Sequence, residues 1–330
     1  MQGKVMSEHS APTFVDVGID VCKEWLDIHI VPANTVVRVP NTKKGFKQLL
    51  AVVKPLGLQL VVMEATAKYH RSIHRFLHDA GLAVAVVNPL RARLVAESLG
   101  ALAKTDRVDA RMLAQFGQMA KLAATPPLPE SLENLREIVR NRDAAMLAKV
   151  ALENQLGTAT VAGVKALISK QIKTVKAAAD AYEAMALTLI KCDPGFRRRF
   201  EILISIRGVG TVTALCLIAN MPELGTLDGK QAGMLAGLAP VASDSGQRNG
   251  PRHIRGGRAV VRTGIYMAAQ SAARFNPQMK ACYEHLVAKG KLKKVALTAV
   301  MRKLIELANT LLKENRCWSI ERPIAKPLPA

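Results

Sequence analysis

The sequence predicts an α/β domain built on a mixed sheet, then a stretch of long helices, then a basic and mainly helical region. Three observations carry that reading. Short β-type runs cluster near the start and then alternate with helix-like segments; a heptad-spaced apolar stripe crosses the middle; and the last third is glycine-punctuated and rich in Arg and Lys. The β-type runs cover residues 14–19, 25–31, 35–39, 58–63 and 83–87. Asn41-Thr42 can cap a helix over 43–53, and a second helix is expected over 70–80, stopped by Gly81.

Three early strands followed by alternating helices and strands imply a sheet opened by a three-strand meander. That order matches an RNase H or RuvC-like architecture. No G-x-G-x-x-G follows the first run, which disfavours a dinucleotide-binding fold. Residues 12–125 are therefore read as one α/β domain, ended by the breaker cluster Thr125-Pro126-Pro127-Leu128-Pro129. A helical connector over 126–195 follows. Ser131 is its expected cap, and Ile168, Val175, Tyr182 and Leu189 recur every seven residues. Such a stripe suits either a hairpin within the chain or a coiled coil between copies. Cys192-Asp193-Pro194-Gly195 ends it, a mainly α domain fills 196–316, and 317–330 forms a tail.

Four acidic residues are the most specific chemical signal. Asp20 and Glu64 each close an apolar run, where a strand delivers its last side chain to the rim of a sheet. Asp106 and Asp109 are spaced i, i+3 at a helix start and share one face, with Lys104 just before them. Hard cations such as Mg²⁺ take oxygen ligands, and paired Mg²⁺ ions suit phosphodiester displacement. The set reads as a metal-dependent nucleic-acid site. Asp16 and Asp27 are rival strand carboxylates; Asp16 shares parity with Asp20 but lies further from the rim.

Charge points to a polyanionic partner. Lys and Arg number 47 against 26 acids, a formal charge of +21, and from Lys191 onward 23 bases face 9 acids. No long apolar span and no apolar signal-peptide core occur, so a cytoplasmic, non-membrane protein is expected. Five cysteines without C-x-x-C spacing argue against a disulfide framework or a zinc site. The run Ile206-Arg207-Gly208-Val209-Gly210 reads as the turn of a helix-hairpin-helix-like element, with Arg207 and the amides of Gly208 and Gly210 toward phosphate. Arg248, Arg252, Arg255 and Arg258 are expected phosphate contacts beside the polar loop 243–250. Aromatic residues make up only 4% of the chain, so recognition should run through backbone charge and shape rather than base stacking. His70, His74 and His78 lack a matching Cys or carboxylate and read as an exposed helix face rather than a metal site.

Gly18-Ile19-Asp20, Met63-Glu64-Ala65-Thr66, Asn88-Pro89 and Lys104-Thr105-Asp106-x-x-Asp109-Ala110-Arg111 resemble the signature blocks of the DEDD insertion-sequence transposases, the IS-one-ten family. The glycine hairpin, Gly237-Leu238-Ala239-Pro240 and the Asp244-Ser245-Gly246 loop resemble that family's C-terminal transposase domain, in the same order. The resemblance implies a RuvC-like domain, a coiled-coil connector and a serine-bearing C-terminal domain. It further implies a DNA recombinase in which Asp20, Glu64, Asp106 and Asp109 hold Mg²⁺ and Ser245 is the nucleophile. Dimers pairing into tetramers, and a structured noncoding RNA (the bridge RNA) that pairs with donor and target DNA, belong to the same implication. Ser243, two residues away, is the alternative nucleophile, and Ala67 stands where relatives often have glycine. Two other functions fit the residues alone: a RuvC-like endonuclease hydrolysing branched DNA with water, and a non-catalytic nucleic-acid scaffold.

Overall fold

This computed structural model describes residues 16–100, 106–242, 244, 245, 250 and 252–321, and of 106–108 the backbone alone. The chain divides into two compact units between Leu128 and Pro129. In the first, β1 (Asp16–Val21), β2 (Trp25–Val31) and β3 (Thr35–Pro40) form an antiparallel meander. Helix α1 (Lys43–Val53) follows, started by Thr42, whose hydroxyl accepts from the Gly45 amide at 3.4 Å. Strand β4 (Leu60–Glu64), helix α2 (His70–Asp79) and β5 (Val84–Val87) complete the sheet, with β4 and β5 parallel to β1. The strand order is β3-β2-β1-β4-β5, a mixed sheet opened by the expected three-strand meander.

The alternation of side chains gives the sheet two different faces. Val17, Ile19 and Val21 join Leu26, Ile28 and Ile30, covered by Phe46 and Leu49 of α1 and Ile73 and Leu77 of α2. The other face is covered by α4 (Asp106–Ala120), after α3 (Pro89–Ser98), which is capped by Asn88 and buries no residue. Leu113 and Phe116 of α4 pack on Leu60, Val62, Ala85 and Val87. Toward β1 the packing is tighter. A Cβ on Gly18 would fall 1.9 Å from the Ala110 carbonyl oxygen and 2.6 Å from the Ala114 amide nitrogen. Only glycine lets helix and strand backbones meet this closely.

The histidine face departs from expectation. His74 is buried and its Nε2 lies 2.7 Å from the Thr125 carbonyl oxygen, so α2 is pinned there rather than exposed. The carbonyl is a fixed acceptor that the spacing of the histidines does not reveal.

The second unit is helical. Helices α5 (Glu130–Thr158) and α6 (Ala162–Cys192) are joined by three residues and pack along each other as an antiparallel hairpin. Ile168 of the predicted stripe is buried, and Val175, Tyr182 and Leu189 are half-buried. Ile172, Ala179 and Ala186 supply the other half of the seam, alternating with them at steps of four and three. The stripe thus has its partner within the chain. Ser131 is not the cap: α5 starts at Glu130 behind Pro129, and an acidic side chain suits the first turn.

Beyond Asp193, which caps α7 (Pro194–Ser205), come α8 (Thr211–Asn220) and α9 (Gly229–Leu235). A short ribbon of β6 (Pro240–Val241) and β7 (His253–Ile254) leads to α10 (Ala259–Phe275), α11 (Pro277–Ala288) and α12 (Lys293–Lys313). Leu135, Val139, Ala186 and Ile190 of the hairpin share one core with Ile202, Leu217, Ile265 and Leu304 of the later helices. No described helix is long and apolar enough to cross a membrane.

Gly18→Ala is expected to destabilise the first unit by about 1–3 kcal/mol, because the added methyl meets backbone that cannot yield. Gly157→Ala, whose methyl meets nothing within 4 Å on α5, should instead add up to about 1 kcal/mol. Urea midpoints of the two variants, moving in opposite directions, check both.

Candidate active site

Parallel pairing of β1 with β4 runs through Ile19 opposite Met63. Asp20 and Glu64 are the next residue on each strand, so they stand side by side at the rim of the sheet. By alternation Asp16, Gly18 and Asp20 share the face beneath α4, as do Leu60, Val62 and Glu64. The direction of α4 is read from its contacts. Asp16 accepts a bond from the Gln118 side chain, while Gly18 lies against Ala114 and Ala110. Helix α4 therefore runs antiparallel to β1, and its first turns, with Asp106 opening the helix and Asp109 three residues on, lie over the end that carries Asp20. The positive end of the helix dipole favours carboxylates there.

Asp20, Glu64 and Asp109 are half-buried, and each is engaged by neighbouring groups. Among the described residues, no three His, Cys, Asp or Glu side chains stand close enough together to hold an ion. The side chain of Asp106 and all of Lys104 lie outside the described residues. The donors that do line this rim are carboxylate oxygens, the type a hard divalent cation takes.

Two further groups on this face were not legible as a pair. Asp27 lies directly across from Asp20 in the antiparallel register and is buried. Arg38, opposite Asp27 on β3, donates to it from Nε and Nη2, both at 2.8 Å. The fork cancels a like charge beside Asp20. The signal was an arginine in an otherwise uncharged β3, which becomes meaningful only once the register is known. Asp16, at the opposite end of the strand, is also buried. Burial pushes its carboxyl up, while bonds from the Leu60 amide and the Gln118 side chain oppose the rise. On β2, His29 is buried on the same face. Burial holds its imidazole below the ordinary range, the charge of Arg111 adds to that, and a bond with the Asn34 side chain opposes it. After Glu64 the chain turns through Ala67, which takes φ +42° in the left-handed region where glycine is the easier residue.

In the second unit, Ser245 is exposed in the loop between β6 and β7, and the neighbouring Asp244 accepts from the Gly250 amide at 3.2 Å. Ser243 and Arg248 lie outside the described residues. Arg252 and Arg255 are exposed. Arg258 has a structural part instead. It forks onto Glu223 through two 2.7 Å bonds and also donates to the Asn220 carbonyl at 2.6 Å. Burial pushes the Glu223 carboxyl up, but the bonds and charge of Arg258 outweigh it and hold the group below its ordinary value. Gly208, at φ +105°, is there for packing: a Cβ would meet Ala272 of α10 at 2.6 Å. Gly210 faces open space before α8, and Arg207 lies 5.9 Å from the centre of the Trp318 ring.

Residues 17–161 match the family model DEDD_Tnp_IS110, described as a transposase, and 200–284 match the transposase model of the IS116/IS110/IS902 family. The chain belongs to the IS110 family of DEDD transposases. Such a protein is a DNA-recombining enzyme. Pilin gene-inverting proteins of Moraxella bovis and Moraxella lacunata are each 25% identical over 91% of this chain and 96% of their own length. An IS110 insertion-element protein of Streptomyces coelicolor is 26% identical over 59% of this chain and 50% of its own. Among solved structures, T. thermophilus RuvC in complex with a Holliday junction substrate aligns with 34% of this chain and 99% of its own, at 14% identity and a TM-score of 0.26.

Arg38→Met should destabilise the first unit by about 1–3 kcal/mol, since it strands a buried carboxylate. Asp27→Asn in the same chain should recover most of that loss in urea titrations. For His29 the sign follows from its lowered folded value: the unfolded chain binds the proton more readily, so stability is lost as pH falls through about 6.5. Between about pH 7.5 and about pH 5.5, the wild type should lose more stability than His29→Phe, with the difference isolating this one group.

Proposed function

We propose that this transposase cuts and rejoins DNA through a covalent phosphoserine, with Asp20, Glu64, Asp106 and Asp109 holding Mg²⁺ and Ser245 as the nucleophile. The observation that supports this most is the meeting of Asp20 and Glu64 at neighbouring strand ends beneath the start of α4. A divalent cation bound there would stabilise charge on the phosphate and favour the ionised nucleophile. The remaining chemistry belongs to the chain. The Ser245 hydroxyl gives up its proton to water, its Oγ forms a bond to phosphorus, and the bond to one strand's oxygen breaks, that oxygen taking a proton from water to leave a hydroxyl end. Arg252 and Arg255 neutralise the phosphate oxygens. Because the diester energy is kept in the serine ester, a hydroxyl of another strand can reverse the step and join to it without ATP. Inversion of a gene, the activity named for the Moraxella relatives, requires strands to be cut and joined to new partners.

A structured noncoding RNA is the proposed guide. Its support is the charge of +21 together with 4% aromatic residues, which suits recognition by backbone and shape. The proposed assembly is a homodimer that pairs into a tetramer. Its support is the exposed apolar set along the outer half of the hairpin, with Leu147 at 73%, Val161 at 62% and Leu167 at 66% exposure.

Trapping tests the covalent step. With Mg²⁺ and element-end DNA, denaturing gels should retain a protein–DNA adduct that is lost in Ser245→Ala. Asp20→Asn and Glu64→Gln should each slow strand cleavage by about 10³-fold, as should chelation of the metal. Normal cutting by Ser245→Ala, with free 5′-phosphate ends and no adduct, would assign the attack to water and refute the serine.

A further inference from the structure

We infer that the turn joining α11 to α12 is a second contact for the phosphate backbone of duplex DNA, separate from the Arg207-bearing turn before α8. This rests on the reading that the chain works on DNA. Lys289, Lys291, Lys293 and Lys294 fall within six residues, and no Asp or Glu occurs between Glu284 and Glu306. A lysine run is ordinarily a solvated face, and three features set this one apart.

First, its charges are uncompensated where their neighbours' are not. Lys280 lies 3.9 Å from Glu284, Arg302 2.7 Å from Glu306 and Lys303 3.1 Å from Glu306. Among the described residues none of the four turn lysines forms such a pair, and all four are exposed. Second, two of them oppose the local field. Lys293 and Lys294 open α12, at the positive end of its dipole, with no acidic residue in the first turn and no side-chain cap from Leu292. Cations there are unfavourable until an anion docks. Third, the turn is rigid and open. Gly290 takes φ +77°, its amide and that of Lys291 bond back to Val287 and Leu286 at 2.9 and 3.0 Å, and nothing lies within 4 Å of where its Cβ would be. Little ordering is then needed to present the charges.

Leu292 and Val295 stand beside them at 75% and 52% exposure, an apolar edge that can lie against deoxyribose. An anionic membrane would also attract the lysines, but two exposed apolar residues are too few for an interfacial helix. The turn sits about 18 Å along α11 from the α10–α11 junction, where the Asn276 side chain donates to the Arg207 carbonyl at 3.4 Å. The lysine turn and the Arg207 turn therefore lie at opposite ends of α11 and reach different phosphates.

The test is a salt titration of binding to a random-sequence duplex, using the full chain and a variant with all four lysines changed to Gln. Each neutralised phosphate contributes about 0.9 to the slope of log affinity against log salt, so the variant should lose about 2 to 4 of that slope. Arginine at the four positions should restore it. If the Gln variant melts early, Lys291→Gln and Lys294→Gln singly take its place, each expected to remove about 0.9. A slope unchanged while wild type binds steeply overturns the inference, and so does a change seen on duplex RNA but not on DNA. Failure of the wild type to bind duplex DNA at all would instead remove the DNA reading itself, and this contact with it.

Discussion

The close approach of α4 to Gly18 governs the first unit. With hydrogen at the strand position and Ala110 and Ala114 one turn apart on the helix, the two backbones meet without side chains between them. Everything at the rim follows from that contact. It sets how far α4 slides along β1, and hence that the start of the helix, rather than its middle, overlies Asp20. It also puts the helix dipole where negative charge gathers. A bulkier residue at either surface would lift the helix and part the carboxylates from one another.

Placing acids together is costly, and the surroundings show how the cost is limited. Asp27 directly faces Asp20 across β1 and β2, and Arg38 forks onto it so that one of the two charges is cancelled. His29, buried on the same face, stays toward its neutral form because burial and Arg111 both disfavour its proton. The face beneath α4 is thus graded. Apolar packing by Leu113 and Phe116 holds the middle, compensated polar groups stand beside it, and half-buried carboxylates reach the rim. Rigid elements rather than loops carry the acids, so the sheet and α4 hold their spacing.

The helical unit treats its arginines in two ways. Arg258, Arg262 and Arg199 turn inward to carbonyls and Glu223, holding helices together, while Arg252 and Arg255 remain exposed. Gly208 likewise belongs to packing against α10, while Gly210 faces open space. Composition counts all of these residues alike. Their division into internal ties and outward charge is a property of the fold.

The sequence by itself determined the strands, the first two helices, the carboxylate-bearing strand ends and the family blocks, because these are local. Period-two and period-3.6 patterns, and caps such as Thr42, act over a few residues. Much of the second half of the α6 seam escaped notice because two of its three members, Ala179 and Ala186, are small and weakly apolar, though both are buried. The burial of His74, the Asp27–Arg38 fork, the inward turn of Arg258 and the direction of α4 were decided only by tertiary structure. Each depends on which residue of a distant segment stands opposite. A slip of one position between β2 and β3 would have left every local pattern intact and carried Arg38 away from Asp27.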